Sequence, residues 1–249
     1  MNEIDKNRFV RDIEHDGFTV HKEVFDKDKI AELDAFAATL PPQRGHDKNK
    51  KWYGWNHVSA MENPLTDVDW GYYWTANVDH PIIDEIKAAM TPSVDQIFGH
   101  KNWVWHVQDF IVLQPGMNFR RPHIDTPYRF KEFRYSKEFL GLQFMVMMCD
   151  FNEDNGATGY VPGTHKYFYD AIDMRDHPNS WDLFFVDNYT QYTAPAGSMV
   201  AWHPRLLHST MPNKTDQVRR ALLIHAAEKT TARRLEVIDP QVNVVLRKT

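Results

Sequence analysis

The sequence predicts an α+β protein with a sandwich or barrel core and helices gathered in its N-terminal part. Three observations carry this. Helical apolar stripes occupy the first hundred residues. From Trp103 onward, short β-rich runs alternate with turn clusters. No internal repeat, low-complexity tract or Gly/Ser linker divides the chain. At 249 residues, with 42% hydrophobic and 25% charged content, it suits one domain with a substantial core.

In chain order, Asp28 to Leu40 puts Ile30, Leu33, Phe36, Ala37 and Leu40 on one helical stripe, stopped by Pro41-Pro42. Residues 44–56 are polar and Lys-rich, an expected exposed loop. Aromatic residues crowd between Trp52 and Trp74, as packing between a helical layer and a sheet or as a wall over a substrate pocket. Pro81 opens a helix that turns Ile82, Ile83, Ile86 and Met90 inward. Thr91-Pro92 is expected to restart it, with an end near Gly99. Strand-like runs follow at 103–114, 139–151, 157–161, 198–203 and 218–228. The stretch from His165 to Tyr192 reads as an insertion over one mouth of the core. The expected division is a helical support layer over 1–100, a β core over 101–230 and a C-terminal extension over 231–249.

A net charge of −5 provides no general attraction to nucleic acid or anionic membrane. The charged N-terminus has no apolar signal region. The longest apolar run, Phe139 to Cys149, is broken by Gln143 and too short to span a bilayer. Cys149 is the only cysteine, which excludes an intrachain disulfide and suits a reducing compartment. These features point to a cytoplasmic enzyme-sized domain acting on a small molecule, with no nucleic-acid or membrane partner.

His123-Ile124-Asp125, with His208 far downstream, carries the chemistry. On an extended backbone His123 and Asp125 point to the same side, since side chains alternate with period two. One carboxylate and two imidazoles compose the facial triad that holds Fe(II) and leaves positions open for co-substrate and O2. His-x-Asp alone is weak evidence in a chain with thirteen histidines. Of the others, His203 in Trp202-His203-Pro204 competes with His208 as second imidazole. His106 and His225 read as core residues, and His165 as part of a turn. Gly156, Gly159 and Gly163 read as turn and bulge glycines, because no strand-to-helix context supports a phosphate loop.

Arg120, Arg121, Arg129, Lys131 and Arg134 crowd around the His-x-Asp motif. A solvated basic loop is one reading. The other places Arg121 and Arg129 at the metal mouth as contacts for an anionic substrate.

PHID, NGATGYVPGTHK, APAGSMVAWHPRLLHST and an Arg shortly after His208 occur in that order, behind an N-terminal FVRDIEHDGFTVHKEVFDKDKIAEL. Together, from Asn7 to about Ala227, they resemble the phytanoyl-CoA dioxygenase family of Fe(II)/2-oxoglutarate oxygenases. The resemblance implies a mainly β core of the double-stranded β-helix type (jelly roll, cupin-like), with N-terminal helices packed outside and the metal in its mouth. It implies His123, Asp125 and His208 as catalytic metal ligands. Arg219 becomes the partner of the distal carboxylate of 2-oxoglutarate, and Gln143 a polar neighbour of that co-substrate. A guanidinium suits a dicarboxylate because it bonds bidentately. Neighbouring Arg219 and Arg220 face opposite sides of a strand. The hydrophobic pattern does not choose between them; the family spacing picks Arg219.

The activity so implied is hydroxylation of an unactivated C–H bond in a small, possibly anionic, substrate by an iron dioxygenase. The alternatives are desaturation, epimerisation or cyclisation at the same centre, a β-helix binding module without catalysis, and a zinc hydrolase or isomerase. Asp125 speaks against a halogenase, which needs the carboxylate position vacant for chloride.

Overall fold

A computed structural model describes residues 4–40, 78–117, 122–167 and 184–238, together with the backbone of 72–76. Helix α1 (Lys6–Asp16) starts at Asp5, whose carboxylate accepts from the Arg8 N–H at 3.0 Å, and buries Phe9 and Ile13. It ends at Gly17 in the left-handed region, φ 85°. A Cβ there would lie 2.4 Å from His165 Nδ1, so glycine also lets the 160s loop pack against the helix end. Strand β1 (Phe18–His21) follows, then α2 (Lys27–Thr39), capped by Asp26 and buried through Ile30, Leu33 and Ala37. Of the expected stripe, Phe36 and Leu40 are only partly covered.

Strand β2 (Tyr72–Ala76) precedes α3 (Pro81–Phe98). Two expectations are corrected here. Residues 72–76 form a strand inside the part read as mainly helical, because pairing with 109–113 supplies its hydrogen bonds. Nor does the chain restart at Thr91-Pro92: α3 is continuous through Pro92. Pro92 removes one backbone donor, but Met90 and Val94 on either side are fully buried, and that packing outweighs the local break.

The β core comprises β3 (Trp103–Leu113), β4 (Gly141–Met147), β5 (Gly159–Tyr160), β6 (Thr190–Gln191), β7 (Met199–Trp202), β8 (His208–Ser209) and β9 (Arg219–Glu228). One antiparallel sheet has the order β1-β7-β4-β9-β3-β2, the other β6-β5-β8. The strands expected at 139–151, 157–161 and 198–203 are shorter than their apolar runs. Helix α4 (Lys229–Ile238) ends the described chain.

Alternation divides the larger sheet into two environments. Its outer face (Phe110, Leu142, Phe144, Val146, Leu222, Ile224) packs on α1, α2 and α3. Its inner face (Ile111, Met145, Met147, Val200, Trp202, Ala221) closes on Tyr160, Ala157 and Leu206 of the other half. Helix α4 sends Leu235 into a separate cluster with Ile124, Tyr128, Phe133 and Leu140, so the middle residue of His-Ile-Asp is clamped from outside. The fold is a jelly roll with helices against one face, and no helix among the described residues is long and apolar enough to cross a membrane.

Candidate metal centre

His123 and His208 form an antiparallel bridge, exchanging N–H to carbonyl bonds of 2.9 and 3.1 Å. The Asp125 N–H donates to the Pro204 carbonyl at 2.7 Å, holding the next turn of the motif against the other chain segment. Three side chains from positions eighty-odd residues apart are thereby brought together. One ligand atom from each of His123, Asp125 and His208 lies within 4.8 Å of the others. His123 Nε2 is 3.7 Å from Asp125 Oδ1, and His208 Nε2 is 3.3 Å from Asp125 Oδ2. Ligands about 2.1 Å from one metal, at right angles, stand roughly 3 Å apart, so little adjustment is needed.

Outer groups orient these ligands. His208 Nδ1 lies 2.9 Å from the Leu206 carbonyl, which only accepts; the proton therefore sits on Nδ1 and the Nε2 lone pair faces the site. The Trp202 indole N–H donates to Asp125 Oδ2 at 3.2 Å. Tyr160 stacks on the His208 ring with centroids 5.8 Å apart. Sequence reasoning did not single out Trp202 or Tyr160. Both flank a ligand only through strand pairing, which no local pattern announces.

His203 lies elsewhere. Its Nδ1 accepts the Arg205 backbone N–H at 3.0 Å, and its ring stacks on Tyr128 at 5.0 Å. Burial, with His165 and Arg205 adding to it, pushes its imidazole well below the usual range, so it is a neutral packed ring. His165 occupies a short 3-10 turn beside the Glu14 carbonyl. His225 lies on the inner face of β9, and the buried His106 sits at the register shift of β3 between Trp105 and Val107.

The two arginines of β9 separate by parity. Arg219 is 1% exposed, donates from Nη2 to the Gly156 carbonyl at 2.8 Å and lies 4.3 Å over the Phe151 ring, on the inner side. Arg220 points the other way and grips Asp34 of α2 with bonds of 2.7 and 3.1 Å. Gln143 is buried, in register with Trp202 on one side and His225 on the other. Arg129 follows the motif, half-buried over Phe130, and its charge is felt at His225. Lys131 is exposed. Arg120 and Arg121 lie outside the described residues, as do 44–56 and most of the 165–192 insertion.

Asp109 was also passed over. It is the one charged residue in the strand run 103–113, a signal available in the sequence, and it faces inward opposite Leu223. Enclosure pushes its carboxyl up to about 7.

Comparison with known proteins agrees with this architecture. The sequence profile of the phytanoyl-CoA dioxygenase (PhyH) family matches residues 13–221, and the chain belongs to that family. The dioxygenase cdmD of Talaromyces verruculosus is 29% identical over 136 residues, 52% of this chain. That stretch spans only 41% of the relative's length. Among solved structures, the non-haem α-ketoglutarate-dependent epimerase SnoN from nogalamycin biosynthesis superposes with a TM-score of 0.65 at 16% identity, covering 90% of this chain and 80% of its own. EctD from S. alaskensis, solved with 2-oxoglutarate and 5-hydroxyectoine, has a TM-score of 0.65 at 13% identity, with 90% and 76% covered. The fold is thus that of the 2-oxoglutarate-dependent jelly-roll enzymes.

Proposed function

We propose that this chain is a non-haem Fe(II)/2-oxoglutarate dioxygenase that hydroxylates an unactivated C–H bond of a small molecule. One observation carries the reading. His123, Asp125 and His208 converge on a single point inside the same barrel whose inner face carries the deeply buried Arg219. A guanidinium on that inner face suits one carboxylate of a dicarboxylate whose other end meets the metal, because it bonds a carboxylate bidentately.

The residues fit the metal: two imidazoles and a carboxylate suit Fe(II), the His208 tautomer is already set for ligation, and Trp202 orients Asp125. Fe(II) bound there would supply the redox centre for the overall reaction, in which O2 is the oxidant, 2-oxoglutarate leaves as succinate and CO2, and the two oxygen atoms go one into succinate and one into the substrate C–H. The chain does the rest. Arg219 holds the distal carboxylate of the co-substrate and fixes which end faces the metal. Ile111, Met145, Tyr160 and Ala221 wall that space with apolar surface, excluding water from it. Gln143, beside Trp202, is a polar neighbour at the level of the metal.

The test is anaerobic binding of Fe(II) and then 2-oxoglutarate, followed by succinate release on admitting air. One equivalent of each ligand, with O2-dependent succinate, is expected. Binding without O2-dependent succinate would leave a binding module, and turnover with zinc in the absence of 2-oxoglutarate a hydrolase.

A further inference from the structure

Three polar groups on the inner face form a strip used neither by the metal triad nor by Arg219. Gln143 of β4 stands opposite His225 of β9, and Asp109 of β3 stands opposite Leu223, one same-face position along β9. The strip begins beside the metal centre, because Gln143 also pairs with Trp202, whose indole holds Asp125.

None of the three is fully satisfied by the described residues around it. Gln143 Nε2 donates to the Thr126 carbonyl at 3.4 Å, which leaves its buried Oε1 with no partner among the described residues. Buried His225 Nε2 is in the same state. No hydrogen bond or ion pair among the described residues reaches Asp109, whose carboxyl is perturbed by enclosure alone. Buried polar atoms without partners are rare because each forfeits its hydration, and two of them beside a partly accessible carboxyl on one face mark a place where something else supplies the partners.

The strip also lines open space. Val107, Asp109, Leu223 and His225 are partly accessible, whereas their outer-face neighbours Phe110, Leu222 and Ile224 are sealed. Farther along the inner face, Ile111, Ala221 and Arg219 are closed off as well. The barrel therefore opens at the level of the strip and narrows toward Arg219.

We propose that Asp109, Gln143 and His225 form the prime-substrate subsite and receive a hydrogen-bond-donating group, an amine or a hydroxyl. The proposal rests on the dioxygenase reading above. Gln143 Oε1 can only accept, and so can Asp109 once ionised at pH 8, the pH of the titrations below, so a carboxylate or phosphate would there set acceptor against acceptor. No cation among the described residues offsets Asp109. Arg219 is two same-face positions from Leu223 and engaged with Gly156 and Phe151, while the charge of Arg129 is felt at His225. Burial, with His106 and Arg129 adding to it, keeps His225 neutral, so it brings no positive charge to attract an anion.

The experiment uses the protein loaded with Zn(II), so that no turnover occurs. Calorimetry at pH 8 first measures 2-oxoglutarate binding. The ternary complex is then titrated with three probes on one carbon frame: cyclohexylmethylamine, cyclohexylmethanol and cyclohexanecarboxylate. Expected is binding of the amine or the alcohol at least about tenfold tighter than the carboxylate, and which of the two leads identifies the donor. Asp109→Leu should erase that preference and Asp109→Asn, which keeps one acceptor, should retain part of it. In both variants the 2-oxoglutarate affinity should stay within about threefold and the melting temperature should not fall. Equal or tighter carboxylate binding, no binding of either donor probe, or a preference that survives Asp109→Leu overturns the subsite. A tenfold or greater loss of 2-oxoglutarate affinity in Asp109→Leu overturns it too, since it would place Asp109 in the co-substrate site. Failure of the wild type to bind 2-oxoglutarate at all sinks the dioxygenase reading and this subsite with it.

Discussion

The two faces of the larger sheet are built from the same strands and do different work. On β9, Leu222, Ile224 and Ala226 point outward and are sealed under the helices, while Arg219, Leu223 and His225 point inward. The outer face is mainly apolar side chain against apolar side chain, and polar groups on it find partners: Arg220 meets Asp34, and Gln108 donates to the Val78 carbonyl. The inner face carries a buried guanidinium and polar atoms left without partners among the described residues, and its Trp202 reaches Asp125 of the metal triad, which sits on β8 and the His-Ile-Asp segment opposite. Stability is concentrated outside and ligand chemistry inside, one residue apart along the chain. A strand two-sided in this way looks uniformly apolar in sequence, because both faces are covered.

Substitutions on the two faces should therefore separate function from stability. The largest effect is expected at the metal centre. His123→Ala, Asp125→Ala and His208→Ala should each abolish turnover with little change in melting temperature, while His203→Ala should keep metal binding, read by metal content and calorimetry. Iron lost in His203→Ala but kept in His208→Ala would reverse the assignment of the second imidazole.

Phe144→Ala, on the outer face against Phe9 and Trp105, should cost about 3–5 kcal/mol in denaturant unfolding. It should leave the 2-oxoglutarate affinity of the folded fraction unchanged; an affinity loss would mean that the faces are coupled.

Asp109 should show the opposite sign. Its folded-state carboxyl is raised to about 7 from a usual 3.8, so the native state holds a proton that the unfolded chain has released between those values. Stability from this group is then present at low pH and falls as pH rises from about 4 through 7, by up to about 4 kcal/mol. Asp109→Asn should accordingly stabilise the apoprotein at pH 8 and change little at pH 4, in urea titrations at both values. Equal effects at the two pH values would show that Asp109 has a counter-charge.

The smallest contrast is the most local one. Arg219→Ala should weaken 2-oxoglutarate binding by about 2–4 kcal/mol, roughly thirty- to a thousandfold. Arg220→Ala should cost about 1 kcal/mol or less of stability through its partly exposed ion pair, and leave 2-oxoglutarate affinity alone. Calorimetric titration of both variants reads the difference, and a reversed pattern would require the strand register to shift by one.

The amino-acid sequence by itself determined what local spacing can encode. His-x-Asp places two ligands on one side of an extended chain, and the α2 stripe, Pro81 and the β9 run follow from period and propensity. The order of the motifs was enough to indicate the family, and through it the jelly roll. What only the tertiary structure decided depends on pairing between distant segments. Helix α3 runs through Pro92 because burial on both sides holds it, and 72–76 is a strand because β3 lies beside it. The Leu206 carbonyl sets the tautomer of His208, and Trp202 reaches Asp125 from a strand laid down 77 residues later. Arg219 and Arg220 are equivalent in pattern until β3 and β4 give β9 an inside and an outside. Asp109 was visible as a charge in an apolar run, but its lack of a partner among the described residues is a property of the packed barrel. Whether a buried group is satisfied depends on neighbours that only folding brings near it.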